Sequence, residues 1–332
     1  MAVEVPEAYQ KRVEVIGWGM HVPERVRGNR ELVQMTKYQS VADIVRRCGV
    51  RERHIVGAEE TCADLATEAG AKALRVAGLR PDEVSYIVVG TTVPDDLTVS
   101  TASLVQRNLR ARNATVFDVR AACTGFLKSL EVASCLVDSH GASNGRTNVL
   151  VIGAEVLSRL FDAEDPNNSI LFGDGAGAIV LTRSQRPKPW IFASEDNGDL
   201  WDLITRPMYI DRKLIFQGKR VFEEAIRSMV NCTNGALTKG KLSTDDIGLF
   251  VPHQANLRII RAVAKRFNMT DSLGRINRKV FVNIQRYGNT STASIPIALT
   301  EAAESGRMKR GALIAMAGFG AGLSASAAVM EW

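Results

Sequence analysis

Phe117-Asp118-Val119-Arg120-Ala121-Ala122-Cys123-Thr124-Gly125-Phe126 begins as a strand and ends as a helix. A short apolar run closes at Val119 and small residues follow. Beyond Cys123, the residues Phe126, Leu130, Ala133 and Val137 recur four, three and four positions apart. That spacing is the apolar stripe of an amphipathic helix. Cys123 therefore sits where strand becomes helix. Free backbone amides and the positive end of the helix dipole at such a turn favour a thiolate, which is a nucleophile. A free cysteine can equally be a small core residue. This stretch alone supports both readings.

Strand and helix alternate on either side of it. Residues 13–19 read as a strand, and 31–47 as a helix closed by Gly49. A helix over 63–77 stops at Gly78, and strand 84–90, helix 100–109 and strand 148–153 follow. The last is a continuous apolar run, as a sheet covered on both faces requires. Gly173-Asp174-Gly175-Ala176-Gly177-Ala178 is a small-residue bend before a strand over 179–182, and the polar stretch 184–219 reads as an irregular connection. Helix 221–237, strands 247–251, 280–284 and 312–317, and helix 292–303 complete the chain.

The second half repeats the first. Val84 matches Ile247, Cys123 matches Asn289 and Val149 matches Leu313, at offsets of 163, 166 and 164 residues. A nearly constant offset implies an α/β protein of two similar halves, 1–183 and 184–332, with parallel-rich sheets covered by helices. Ligands in such folds gather at the carboxyl ends of strands.

Composition bounds the function. With 332 residues, 45% of them hydrophobic, the chain can bury a large core. No apolar run reaches a membrane span of roughly 18 residues, and the first twelve residues lack a signal-like segment, so a cytoplasmic protein is expected. Cys48, Cys62, Cys123, Cys135 and Cys232 form no paired or metal-binding pattern, so neither disulfides, nor a metal, nor a cofactor is expected. The net charge of +6 comes without a basic tail or a recognition-helix pattern, which argues against nucleic acid but leaves room for a basic patch facing an acidic partner.

Three loops of the second half follow strands. They are Val251-Pro252-His253-Gln254-Ala255-Asn256-Leu257-Arg258, Tyr287-Gly288-Asn289-Thr290-Ser291-Thr292-Ala293-Ser294 and Gly318-Phe319-Gly320-Ala321-Gly322. With Cys123 they supply a nucleophile, an imidazole, a carboxamide and a turn of backbone amides. Acyl transfer needs such a set: a thiol to take the acyl group, amides of Cys123 and the glycine turn (Ala321 within it) to hold an oxyanion, and neutral His253 and Asn289 to hydrogen-bond an enolate oxygen. Taken singly, His253 could be an ordinary histidine, Asn289 a helix cap and the glycines a packing device. Their joint position after strands of a duplicated unit favours the site. His21, His54 and His140 have no such setting and default to structural or surface roles.

Ala121-Ala122-Cys123-Thr124-Gly125-Phe126, Phe172-Gly173-Asp174-Gly175-Ala176-Gly177, Val251-Pro252-His253-Gln254-Ala255-Asn256 and Gly288-Asn289-Thr290-Ser291 resemble β-ketoacyl-acyl-carrier-protein synthase III, the initiating condensing enzyme of fatty-acid synthesis. The resemblance runs from about Val13 to Trp332. It implies a thiolase-like fold, with the two halves packed as an αβαβα sandwich. It further implies that Cys123 is acylated by a primer thioester, and that His253 and Asn289 promote decarboxylation of malonyl-carrier protein. A homodimer is implied, with Thr98 at the position where a partner subunit contributes to the acyl pocket. Arg47, Arg159, Asn256 and Phe222 fall at substrate-binding positions. Arg258, Arg261, Lys265 and Arg266 fall on a basic helix that docks the acidic acyl carrier protein. The substrates implied are acyl-coenzyme A or acyl-carrier protein, with malonyl-carrier protein.

One position departs from the family pattern. Ahead of Gly49-Val50-Arg51-Glu52-Arg53, where the family places a tryptophan against the adenine of coenzyme A, this chain has Asp43. A carboxylate cannot stack and repels phosphates. The departure points to a primer delivered on carrier protein, and to a starter-unit synthase of a specialised pathway as the alternative. A papain-like protease shares the Cys, His, Asn order but not the cysteine's sequence context or the repeat. A thiolase would share the fold but not this His/Asn pairing, and a non-catalytic carrier-binding relative would not need Cys123.

Overall fold

The computed structural model describes residues 4–140, 147–160, 165–206 and 214–332. β1 (Gln10–His21) leads to β2 (Val26–Gly28), α1 (Asn29–Met35), α2 (Val41–Cys48) and β3 (Glu52–His54), which pairs antiparallel with β2. The single helix expected over 31–47 is thus two. Thr36 Oγ1 donates back to the Leu32 carbonyl, and Ser40 Oγ accepts from Asp43 N–H, so one hydroxyl ends a helix and another starts the next. Gly49 closes α2 in the left-handed conformation at φ 83°.

α3 (Cys62–Ala77), β4 (Tyr86–Gly90), α4 (Thr101–Leu109), β5 (Thr115–Val119), α5 (Gly125–His140) and β6 (Val149–Glu155) fall where the periodicity puts them. β7 (Gly175–Asp196) does not stop at 182: residues 184–196, expected as irregular, continue the strand. Pro187 and Pro189 fall between the end of its pairing with β6, at Leu181, and the start of its pairing with the chain's last strand, at Trp190. Among the described residues only β1 lies beside it there, so the missing N–H groups leave little unpaired. The division expected between 183 and 184 falls inside this strand. Of the rest of the stretch, residues 207–213 lie outside the described residues.

The second half contains β8 (Ile204–Thr205), β9 (Ile215–Phe216), α6 (Gly218–Gly240), β10 (Ile247–Pro252), α7 (Leu257–Arg266), α8 (Ile284–Tyr287), α9 (Ser294–Glu304), β11 (Leu313–Gly320) and β12 (Ser324–Glu331). The strand expected over 280–284 is reduced to one parallel bridge, Phe250 to Val280. Gln254 Oε1 instead accepts the amides of Asn283 and Ile284, at 3.0 and 3.2 Å, so a side chain stands in for a neighbouring strand.

The main sheet follows the path β5-β4-β6-β7-β12-β11-β10, with β1 also on β7, while β2 pairs with β3 and β8 with β9 apart from it. β4 and β6 are parallel, β6 and β7 antiparallel, and β7 and β1 antiparallel. β10, β11, β12 and the end of β7 repeat that pattern in the same order. α5 and α9 lie between the two sheet halves, α3 and α4 cover one outer face, and α6 and α7 cover the other. Residues 294–300 of α9 are all buried, as a helix with sheet on both sides requires.

Glycines set the spacing of the middle layer. A Cβ on Gly153 of β6 would stand 2.5 Å from the Thr292 carbonyl oxygen, and one on Gly177 of β7 would stand 2.5 Å from Ile297 N. Backbone cannot retreat from backbone in a closely packed layer. Gly153→Ala is therefore expected to cost about 1–3 kcal/mol and to lower the midpoint of thermal unfolding by several degrees, measured by calorimetry. A midpoint within one degree of the parent would show that the layer yields.

Candidate active site

Cys123 occupies a one-turn 3-10 helix, residues 122–124, that links β5 to α5. Ala122, just before it, is held at φ 44°, a conformation costly for a residue with a side chain. Thr124 Oγ1 fixes the turn between the Ala121 carbonyl, at 2.7 Å, and Ser324 Oγ, at 3.0 Å. β11 approaches from the other half: a Cβ on Gly320 would stand 2.7 Å from Cys123 N. Glycine is the residue that allows that approach.

His253 follows β10 and is 1% exposed. Its N–H donates to the Ala317 carbonyl at 2.8 Å. Its ring Nδ1 lies 2.6 Å from Ser294 Oγ, which also accepts from Gln254 N–H at 3.3 Å. The Ser294 hydrogen is thereby left for Nδ1, and this network assigns the ring hydrogen to Nε2. Nε2 is buried and has no protein partner among the described residues. Desolvation pulls the imidazole down to about 3. It is a neutral donor.

Asn289 is stitched to the stretch 171–173. Its N–H donates to the Leu171 carbonyl at 2.8 Å, and its own carbonyl accepts from Gly173 N–H at 3.1 Å. Oδ1 accepts from Ser291 N–H at 2.8 Å, an Asx turn that leaves the amide nitrogen as the free end of the carboxamide. The cap reading is not borne out: α9 begins behind Ala293, without a side-chain cap.

Cys123, His253, Asn289 and Ala321 line one cavity of about 530 Å³. Much of its remaining wall is apolar, with Leu157, Leu171, Phe172, Phe222, Ile259 and Phe319 among the lining residues. The cysteine differs from expectation. Burial, with a smaller push from Glu155, raises the thiol to about 12 against a hydrogen bond from Ser291. From the ordinary value of 9 that rise corresponds to about 4 kcal/mol, whereas a helix N-terminus typically supplies roughly 0.3–1 kcal/mol. Burial wins, and the resting residue is the thiol rather than the expected thiolate.

Residues 117–198 match the family described as 3-oxoacyl-[acyl-carrier-protein] synthase III, and residues 237–332 match its C-terminal domain. The chain is 42% identical over 323 residues to β-ketoacyl-[acyl-carrier-protein] synthase III of Aquifex aeolicus, covering 96% of this chain and 99% of that one. The chain belongs to the β-ketoacyl-acyl-carrier-protein synthase III family. The crystal structure of the Aquifex aeolicus synthase III superposes with a TM-score of 0.89 at 40% identity, over 97% of this chain and all of that one. That of Thermus thermophilus superposes at 0.88 and 37% identity, over 96% and 98%. The thiolase-like α/β fold and the acyltransferase class follow from these matches.

Within this synthase III fold, the residues named from the sequence divide. Asn256 and Phe222 line the cavity, and Asn256 Nδ2 donates to the Arg47 carbonyl at 3.2 Å. Arg47, Arg159 and Thr98 are not part of the lining. The Arg47 side chain lies over the Tyr38 ring. Arg159 is held by the carbonyls of Gly57, Ala58 and Glu60, and Thr98 is bound to Asp96 while its neighbour Leu97 reaches the cavity. Arg258, Arg261, Lys265 and Arg266 are exposed on α7, and Arg258 lies 5.2 Å above the Phe222 ring at the cavity wall. His21 and His54 lie away from the cavity, and the His140 side chain is outside the described residues. Sequence reading passed over Ser294, Ser291, Thr292 and Glu155, whose roles depend on contacts between distant segments.

The state of His253 has a measurable consequence. In the unfolded chain it binds a proton below its ordinary value of 6.5, but in the folded chain only below about 3. The unfolded state therefore gains protons first as pH falls, and stability is lost through that window. Between pH 6.5 and 4.5 this amounts to about 2 kcal/mol. In urea unfolding, His253→Gln is expected to lose that much less stability than the parent over the same interval. Equal losses would place a charged imidazole in the fold.

Proposed function

We propose that the chain is a condensing enzyme that joins a primer acyl group to a malonyl unit carried by acyl carrier protein. The observation that carries this reading is the meeting, in one apolar-walled cavity, of a cysteine with two neutral donors, His253 and Asn289. Cys123 attacks the primer thioester, and the N–H groups of Cys123 and Ala321 hold the oxyanion of the tetrahedral intermediate. The primer thiol leaves and the acyl group stays on sulfur. Malonyl-carrier protein then enters with its thioester carbonyl between His253 Nε2–H and the Asn289 amide. Carbon dioxide leaves, and the two donors stabilise the enolate. Its carbon attacks the acyl-cysteine, which releases 3-oxoacyl-carrier protein and frees the sulfur.

Neutrality of the imidazole supports this scheme. A charged ring would offer a proton to the carbanion and end the reaction at decarboxylation. The scheme draws only on side chains, backbone amides and the two thioesters. We further propose a cytoplasmic homodimer, with Thr98 near its partner's acyl pocket.

Carrier protein is taken to dock on α7, whose basic face adjoins the cavity through Arg258 and Phe222. Carrier protein is also the favoured source of the primer. Asp43 sits in the first turn of α2, accepting from Ser40 Oγ at 3.1 Å and pairing with Arg46, so it offers no surface to an adenine.

Mass spectrometry after exposure to acyl-carrier protein is expected to show a covalent adduct, absent in Cys123→Ala. His253→Ala and Asn289→Ala should keep the adduct but lose condensation by roughly 100- to 1,000-fold each. An adduct that survives in Cys123→Ala refutes the assignment. For docking, Arg258→Glu should raise the apparent KM for the carrier-bound substrate while sparing a pantetheine analogue. Equal losses on both would remove α7 from the docking surface.

A further inference from the structure

Glu155 ends β6 next to the cysteine turn, fully buried, and the condensation scheme does not use it. Its Oε2 accepts the N–H groups of Thr92 and Val93, at 3.0 and 3.2 Å. Its Oε1 lies 3.0 Å from Ser291 Oγ and 2.7 Å from Thr292 Oγ1. Ser291 Oγ lies 3.3 Å from Cys123 Sγ and faces the cavity, and Thr292 Oγ1 lies 2.8 Å from the Ala122 carbonyl. Ser291 is held at φ 48°, a left-handed conformation that costs energy and sets its hydroxyl between sulfur and carboxyl.

The resting thiol must lose a proton when it attacks a thioester. His253 cannot take it: Nδ1 accepts from Ser294 and Nε2 already bears a hydrogen. We propose that Glu155 is the proton acceptor for Cys123, acting through Ser291. As Sγ bonds to the acyl carbon, the thiol hydrogen passes to Ser291 Oγ, and the Ser291 hydroxyl hydrogen passes to Glu155 Oε1. The acyl carbon then releases the donor's thiolate, which takes a hydrogen from Ser291 while Ser291 recovers one from Glu155. One S–H and one C–S bond break, one of each forms, and nothing is oxidised or reduced.

Hydrogen counting supports the shift. Four contacts link this group: Cys123 to Ser291, Ser291 to Glu155, Glu155 to Thr292, and Thr292 to the Ala122 carbonyl. Before transfer, hydrogens on Cys123, Ser291 and Thr292 serve three of them. Afterwards, hydrogens on Ser291, Thr292 and Glu155 again serve three. The proton moves without loss of a hydrogen bond. The titratable groups facing Glu155 are the Cys123 thiol and, through Thr91, the Cys62 thiol of α3, itself near Asp95 and Asp118. Burial raises Glu155, which brings its affinity for a proton nearer to that of the thiol.

This inference rests on Cys123 as the acylated residue, and two readouts separate it from that reading. Alkylation by iodoacetamide needs only the thiol, and acylation by hexanoyl-pantetheine needs the condensing site as well. Both are followed on the Cys123 peptide by mass spectrometry. In the parent, the alkylation rate should rise as Glu155 ionises, level off, and rise again only toward pH 12. Glu155→Gln preserves the volume but takes no proton, and should retain only the last rise. At pH 7.5 it should alkylate and acylate roughly 100-fold more slowly. Ser291→Ala should show the same loss, with the double variant within threefold of either single one. Should Glu155→Gln fail to fold, Ser291→Ala carries the test. Folded variants that alkylate within threefold of the parent at every pH would overturn the relay, as would a loss confined to acylation. Loss of alkylation in a protein that accepts no acyl-pantetheine would uphold the relay and refute the condensing reading.

Discussion

Everything at the centre of this molecule depends on two backbones lying closer than side chains permit. β11 passes Cys123 at the point where a Cβ on Gly320 would stand 2.7 Å from the cysteine nitrogen. β6 passes Thr292 with the same intimacy at Gly153, and the 171–173 stretch meets the turn before Asn289 through Gly173 and Gly288. These contacts hold the cysteine turn of one half against the histidine and asparagine loops of the other. A side chain at any of them would separate groups that share a single cavity.

That closeness also fixes the electrostatics. A site walled by apolar residues of α6, α7 and the loops around Cys123 is poorly solvated, and poor solvation penalises charge wherever no opposite charge compensates. Cys123 is pushed up, His253 is pulled down, and Glu155 is raised. The result is a pair of neutral hydrogen-bond donors, His253 and Asn289, beside a masked nucleophile, with a carboxyl of raised proton affinity behind it. Such donors stabilise an enolate oxygen through hydrogen bonds, without supplying a proton that would quench its carbon. The helix dipole behind Cys123 points the right way, but it is too weak to reverse the cost of burial.

Local signals in the sequence carry a good share of this. Thr61 and Gly78 bracket α3, Ser100 opens α4, and the four-three-four stripe after Cys123 is the buried face of α5. Where hydroxyls compete with the helix, as at Thr36 and Ser40, periodicity alone overran a break. Where a strand is defined by its neighbours, the local reading misjudged its extent. β7 persists through two prolines because β6, β1 and β12 take turns beside it. Residues 280–284 lose their strand to the side chain of Gln254.

By itself the sequence determined the duplicated α/β plan and the residue types in its loops: Cys123 at a strand–helix turn, His253 after a strand of the repeat, and Asn289 in the loop that matches the cysteine's, though a helix and not a strand precedes it. Periodicity and offset are properties of one chain read in order, so they survive without coordinates. Only the tertiary structure decided that these residues share a cavity, that the sulfur rests as a thiol, and that Glu155 lies one hydroxyl away from it. Solvation and hydrogen-bond partnership depend on which distant segments come together, and spacing along the chain does not encode that.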